Sequence, residues 1–165
     1  MQKISYKLME DGNYCAMGYV GDEPEVIIPD TYQGGTVTVL YDQLFAGHPE
    51  ITSVKIPDTV TDLGEHVFDG CINLRHLTLP SRLTSLWGYT FVRSGLEEIT
   101  LPDSLATIPP FAFKDCKNLR KVVCGSGLKR IHAWAFGGCE KLEQVLYGPG
   151  VKVSPEAFQN KELNT

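Results

Sequence analysis

The chain has 165 residues and a formal charge of −5, with 42% hydrophobic and 21% charged residues. That composition supports a sizeable core and excludes disordered and collagen-like classes. No apolar run is long enough for a transmembrane helix, and an odd count of five cysteines does not fit a disulfide-knot framework.

In chain order, Met1-Gln2-Lys3-Ile4-Ser5-Tyr6-Lys7 carries no apolar h-region, so no signal peptide is expected in this stretch. Residues 1–25 do not repeat. Lys7 to Ala16 alternates loosely around Asp11-Gly12, which predicts a β-hairpin. From Phe45 onward the sequence is periodic. Phe45, Phe68, Phe91, Phe113, Phe136 and Phe158 follow one another at intervals of 23, 23, 22, 23 and 22 residues. In that register Ile51, Leu74, Leu96, Leu119 and Leu142 form one apolar column, and Val54, Leu77, Ile99, Val122 and Val145 form another. Two later columns are Val60, Leu83, Leu105, Leu128, Val151 and Leu63, Leu86, Ile108, Ile131, Val153.

A unit this short cannot bury its apolar side alone, whereas stacked units share one continuous core, which predicts a solenoid. The apolar-x-x-apolar-x-apolar stretch contains a period-2 segment suited to a short strand. Pro57, Pro80 and Pro102 stop it, because proline cannot donate to the ladder. The six phenylalanines have no polar tip and read as an interior spine. The N-terminal hairpin reads as a β-cap over the first open edge. Phe158 to Leu163 begins another unit and stops at its first leucine.

The stretch Leu96-Glu97-Glu98-Ile99-Thr100-Leu101-Pro102, with Leu105, Ile108, Ala112-Phe113 and Cys116, resembles the BspA-like class of leucine-rich repeats. The likeness covers about residues 45–163, and Val26-Ile27-Ile28-Pro29 with Gly34-Gly35 resembles the longer first unit of such proteins. The resemblance implies a mainly β, right-handed solenoid with parallel strands on the concave face, short helical or 3-10 turns elsewhere, and a β-hairpin cap. Residues 1–44 would form the cap and irregular first repeat, and residues 45–165 five repeats of 22–23 residues plus a truncated sixth.

The candidate partner-binding residues lie in the strand columns that the resemblance places on the concave face: His76, Glu98, Lys121, Gln144, Val123 and Leu146. Val123 and Leu146 are an apolar pair on a mostly polar face, which hints at an interface; local variation is the competing reading. A second candidate is the column two residues before each phenylalanine, where His66, Tyr89, Phe111 and Trp134 place four rings one coil apart. Such a ladder suits a protein or sugar partner; alternatively the rings cover the core and stack for stability.

Catalytic chemistry has no candidate. The histidines His48, His66, His76 and His132 fall in four columns, no C-x-x-C is present, and no nucleophile elbow, phosphate loop or H-E-x-x-H is found. No cofactor or metal is expected. Cys71, Cys116 and Cys139 share one column and read as buried thiols. Residues 1–70 carry 3 basic and 12 acidic side chains, and residues 71–165 carry 12 and 8. That polarity suits end-to-end self-association or an anionic partner, with simple solvation as the alternative. The basic residues fall on several sides of the coil, so no nucleic-acid groove is expected, nor membrane insertion.

The reading is therefore a non-catalytic module recognising a protein, or less favourably a glycan, on a bacterial surface or secreted protein. The alternative is a spacer segment without a ligand of its own. An extracellular or cell-surface location is implied by the resemblance alone, and a cytoplasmic one is the alternative.

Overall fold

The computed structural model describes residues 1–159, so the start of the expected sixth unit beyond Gln159 lies outside the described residues. These residues form a β-solenoid of about six turns. The N-terminal strands are β1 (Lys3–Leu8), β2 (Tyr14–Val20), β3 (Glu25–Ile27), β4 (Thr31–Tyr32) and β5 (Gly35–Leu40). The coils contribute β6 (Ser53–Lys55), β7 (Asp62–Leu63), β8 (Ser85–Leu86), β9 (Glu98–Thr100), β10 (Thr107–Ile108), β11 (Lys121–Val123), β12 (Arg130–Ile131), β13 (Gln144–Leu146) and β14 (Lys152–Val153).

The hairpin forms as expected, with β1 antiparallel to β2. Its turn is fixed locally. Gly12 sits at φ 83°, a conformation that disfavours any residue with a Cβ. The Asp11 carboxylate accepts the Asn13 backbone N–H at 2.9 Å and the Asn13 side-chain amide at 3.0 Å. Those bonds to the charged form hold the Asp11 carboxyl below its ordinary value. β2 then pairs in parallel with β5, β5 with β7 and β7 with β8, so the hairpin continues into one face of the solenoid. Strands β10, β12 and β14 follow on later coils. The other strand face holds the pair β3–β6 and the sheet β9–β11–β13.

No helix forms among the described residues. The connections expected as short helical or 3-10 turns are tandem β-turns. In the coil around Phe113, for example, Lys114 N–H bonds to Phe111 O, Cys116 N–H to Phe113 O and Leu119 N–H to Cys116 O. Each closes a four-residue turn, and successive turns overlap. Between coils these turns also form a ladder. The N–H of Phe45, Phe68, Phe91, Phe113 and Phe136 donates to the carbonyl of the residue just before the next phenylalanine, at 2.7–3.0 Å.

That ladder stacks the rings. Phe68–Phe91, Phe91–Phe113 and Phe113–Phe136 have centroids 5.6, 4.9 and 5.2 Å apart and nearly parallel planes. Phe45 through Phe136 are at most 2% exposed. The row ends on Phe158, which is half-buried, at one side and on Tyr19 at the other. Tyr19 meets Phe45 edge-on at 5.3 Å. Phe113→Ala should therefore cost about 3–5 kcal/mol in urea-induced unfolding. An unchanged unfolding midpoint would contradict the packing described.

Candidate partner-binding surfaces

Alternation decides which side chains the sheet β9–β11–β13 presents. Ile99, Val122 and Val145 point into the core and are at most 4% exposed, so their neighbours must face outward. Parallel register aligns Glu98, Lys121 and Gln144 in one row and Thr100, Val123 and Leu146 in the next. Val123 and Leu146 are half-buried and lie side by side. Five of the six strand-face candidates are thus brought together. His76 is set apart. Residues 76–78 keep the out–in–out burial pattern but pair with neither β6 nor β9. The His76 side chain is 74% exposed, with Nε2 4.0 Å from Glu97 Oε2. A hollow of about 530 Å³ lies between residues 53–58 and 76–79.

The ring column behaves as a stack for three of its four members. His66 and Tyr89 have centroids 4.8 Å apart at 7°, and Tyr89 and Phe111 are 4.8 Å apart at 5°. All four candidates are half-buried. Each also occupies the left-handed backbone region, with φ between 56° and 61°. In the turns from Pro109 to Ala112 and from His132 to Ala135 this is the third position, where glycine or asparagine is usual. A bulky residue there is strained by roughly 1–2 kcal/mol. Aromatic contact worth about 0.5–1.5 kcal/mol offsets much of it.

His66 is further held by Asp69, whose Oδ2 is 2.9 Å from Nδ1, and Asp69 in turn receives a bidentate Arg93 from the next coil. Trp134 leaves the stack. Three residues beyond each ring stand Asp69, Val92, Lys114 and Gly137. Only the glycine leaves space for the indole, whose Cε3 lies 3.3 Å from where a Gly137 Cβ would sit.

The shared cysteine column is structural. Cys71, Cys116 and Cys139 each donate a thiol hydrogen bond to the carbonyl of Phe45, Phe91 and Phe113 in turn, at 3.2, 3.0 and 3.0 Å. No disulfide joins any of the five cysteines. Among the described residues no group of three or more His, Cys, Asp or Glu side chains could hold a metal ion, and no helix is long and apolar enough to cross a membrane. Part of the basic charge on the later coils is answered locally, since Lys117 pairs with Glu140 at 2.8 Å and Arg120 with Glu143 at 3.5 Å, each one coil on.

The sequence model of the BspA-type leucine-rich repeat region matches residues 38–164 in six copies. The chain belongs to that family. Solved structures share the fold of this BspA-type chain. The Treponema pallidum leucine-rich repeat protein TpLRR superposes with a TM-score of 0.74 at 22% identity, over 87% of this chain and 80% of that one. A leucine-rich cell surface protein from Faecalibacterium prausnitzii gives 0.64 at 20% identity, over 87% of this chain and 52% of that one. The pneumococcal vaccine antigen PcpA gives 0.64 at 20%, over 90% and 49%. This chain therefore spans about half the length of the last two. No curated protein matches the sequence.

Two features escaped the sequence reading. Tyr19 lies outside the repeat, so no column marks it as the cap of the phenylalanine row. Tyr41, Gly64 and Trp87 do share a repeat column, and a glycine between two exposed aromatic residues was the available signal.

The buried thiols of this BspA-type chain give a measurable pH dependence. Burial pushes Cys71 up to about 12, Cys124 to about 12 and Cys15 to about 11. A hydrogen bond with Cys116, followed by burial, raises Cys139 as well. Tyr6 and Tyr19 shift the same way through burial. Each group holds its proton more tightly folded than unfolded. The stability this confers is full below about pH 8.5, the ordinary thiol value, and is lost as pH rises through the folded values. The thermal midpoint should be flat from about pH 7 to 8.5 and fall above about pH 9, less steeply in Cys71→Ser. Native alkylation at neutral pH should modify fewer than five thiols, with all five reacting after unfolding. Complete reaction of the native protein would contradict the burial.

Proposed function

We propose that the chain is a non-catalytic recognition module of a bacterial surface or secreted protein. It binds a protein through the face carrying Glu98, Lys121, Gln144, Val123 and Leu146, with His76 at the margin. The observation that carries this reading is the half-buried, outward-facing pair Val123 and Leu146, adjacent across β11 and β13 and flanked by a charged and polar row. An apolar centre with a polar surround is the usual anatomy of a binding patch. Solenoid strands also let each outward position vary without disturbing the core. The description of the Faecalibacterium relative as a cell surface protein supports the compartment.

A glycan is the less favoured ligand at the ring column. Both faces of Tyr89 and one face each of His66 and Phe111 are spent on one another, and a sugar would need them. A spacer role without a ligand is the second reading, and unaltered capture by every strand-face variant would favour it.

A pull-down against bacterial and host surface proteins tests the proposal. A double variant, Val123→Asp with Leu146→Asp, should weaken capture at least about tenfold, as loss of a hot spot does. Tyr89→Ala should leave capture unchanged once its fold is verified. Equal capture by the wild type and the double variant would refute the strand-face assignment.

A further inference from the structure

The second strand face carries a feature that the proposed function does not use. Parallel register across β5, β7 and β8 aligns Val39, Asp62 and Ser85, then Leu40, Leu63 and Leu86. The ladder continues one residue further, through Gly64 N–H to Leu40 O and Trp87 N–H to Leu63 O. Tyr41, Gly64 and Trp87 therefore form a row across three adjacent coils. Tyr41 is 46% exposed and Trp87 56%, and neither ring contacts another among the described residues. Strand spacing puts their backbones about 10 Å apart, with a residue lacking a side chain between them.

The gap is a hollow of about 460 Å³ lined by Val39, Tyr41, Asp42, Asp62, Glu65 and Trp87, with Gly64 as its floor. Close packing requires that glycine. A Cβ there would come 2.7 Å from the Asp42 backbone nitrogen. Three carboxylates thus line a slot walled by two aromatic residues. Asp42 accepts the Glu65 backbone N–H at 2.8 Å, and Asp62 accepts the Thr61 hydroxyl at 2.6 Å. Those are neutral donors. None of the three carboxylates has an ion-pair partner among the described residues, and no lysine or arginine lines the hollow. Lys7 lines a neighbouring hollow that shares Val39 and Tyr41 with this one.

We propose that this slot binds an arginine or lysine side chain on a basic segment of a protein partner. Aromatic faces attract cations through their quadrupole, tryptophan most strongly. Unpaired carboxylates at the same opening supply the opposite charge, and the −9 balance of residues 1–70 draws cations toward this half of the molecule. A neutral sugar would use the aromatic walls and donate hydroxyls to the carboxylates, but only a cation also neutralises the three negative charges gathered there. The slot lies on a different sheet from Val123 and Leu146 and does not depend on their assignment.

The test uses the full chain and an acetylated, amidated tetra-arginine peptide, with a glycine-serine peptide and chitotriose as neutral probes. Binding is read by calorimetry and by the indole N–H resonances of the chain's two tryptophans, Trp87 and Trp134. Tetra-arginine should shift the Trp87 signal selectively and weaken with added salt. Trp87→Ala should lower affinity about tenfold or more. Glu65→Gln with Asp62→Asn should lower it comparably, which tests the site without removing a ring. The Val123→Asp, Leu146→Asp double variant should bind tetra-arginine like the wild type. The proposal is overturned if tetra-arginine leaves the Trp87 resonance unmoved, or if Trp87→Ala and the carboxylate variant both bind it unchanged. Chitotriose shifting Trp87 where tetra-arginine does not would overturn it in favour of carbohydrate.

Discussion

Each coil of this protein places one phenylalanine in the interior row, and the surfaces that cover its ring faces are the row's phenylalanines above and below. The interval of 22 or 23 residues is what brings those rings into register. The backbone ladder from each Phe N–H to the residue before the next phenylalanine fixes the separation. Ring stacking and the ladder constrain one another. Sliding one coil by a residue would break the ladder and bring the half-buried or polar flanking columns into the core.

Much of the remaining structure follows from satisfying this axis. The Phe carbonyls would be buried acceptors on the inside of a turn, and the thiols of Cys71, Cys116 and Cys139 reach three of them. The Phe91 and Phe113 carbonyls already accept the turn N–H groups of Ser94 and Cys116, so there the thiols of Cys116 and Cys139 fill the second acceptor position of a carbonyl. The left-handed residues at His66, Tyr89, Phe111 and Trp134 enter the same turns. A strained row repeated coil after coil points to the fold rather than to a single active site. Outward positions on the two strand faces take no part in this core, and there the molecule places its half-buried apolar pair and its acidic aromatic slot.

The repeat period, the core columns and the hairpin at Asp11-Gly12 were legible in the sequence, because packing in a solenoid maps onto fixed intervals. The turns were less legible. Tandem β-turns and a short helix draw on similar residues and the same hydrophobic columns, so composition does not separate them. Membership of the ring column was legible and stacking was one of its two readings, but the departure of Trp134 was not. Trp134 leaves the stack because of Gly137, and that packing depends on volume rather than on column. Likewise, His76 occupies a strand column without being hydrogen-bonded into a sheet. Tyr19 was invisible as a cap because it acts through a contact with Phe45 made across the non-repeating segment.

Native-state hydrogen exchange resolved by residue tests the dependence on this axis most directly. The backbone amides of Phe68, Phe91 and Phe113 should belong to the slowest-exchanging set and open only with global unfolding. Their apparent opening free energy should then equal the stability measured by denaturant, and it should fall by the same amount in any coil variant. Exchange of those amides through local openings, as fast as the hairpin-turn amides of residues 9–13, would contradict the central role given to the phenylalanine row.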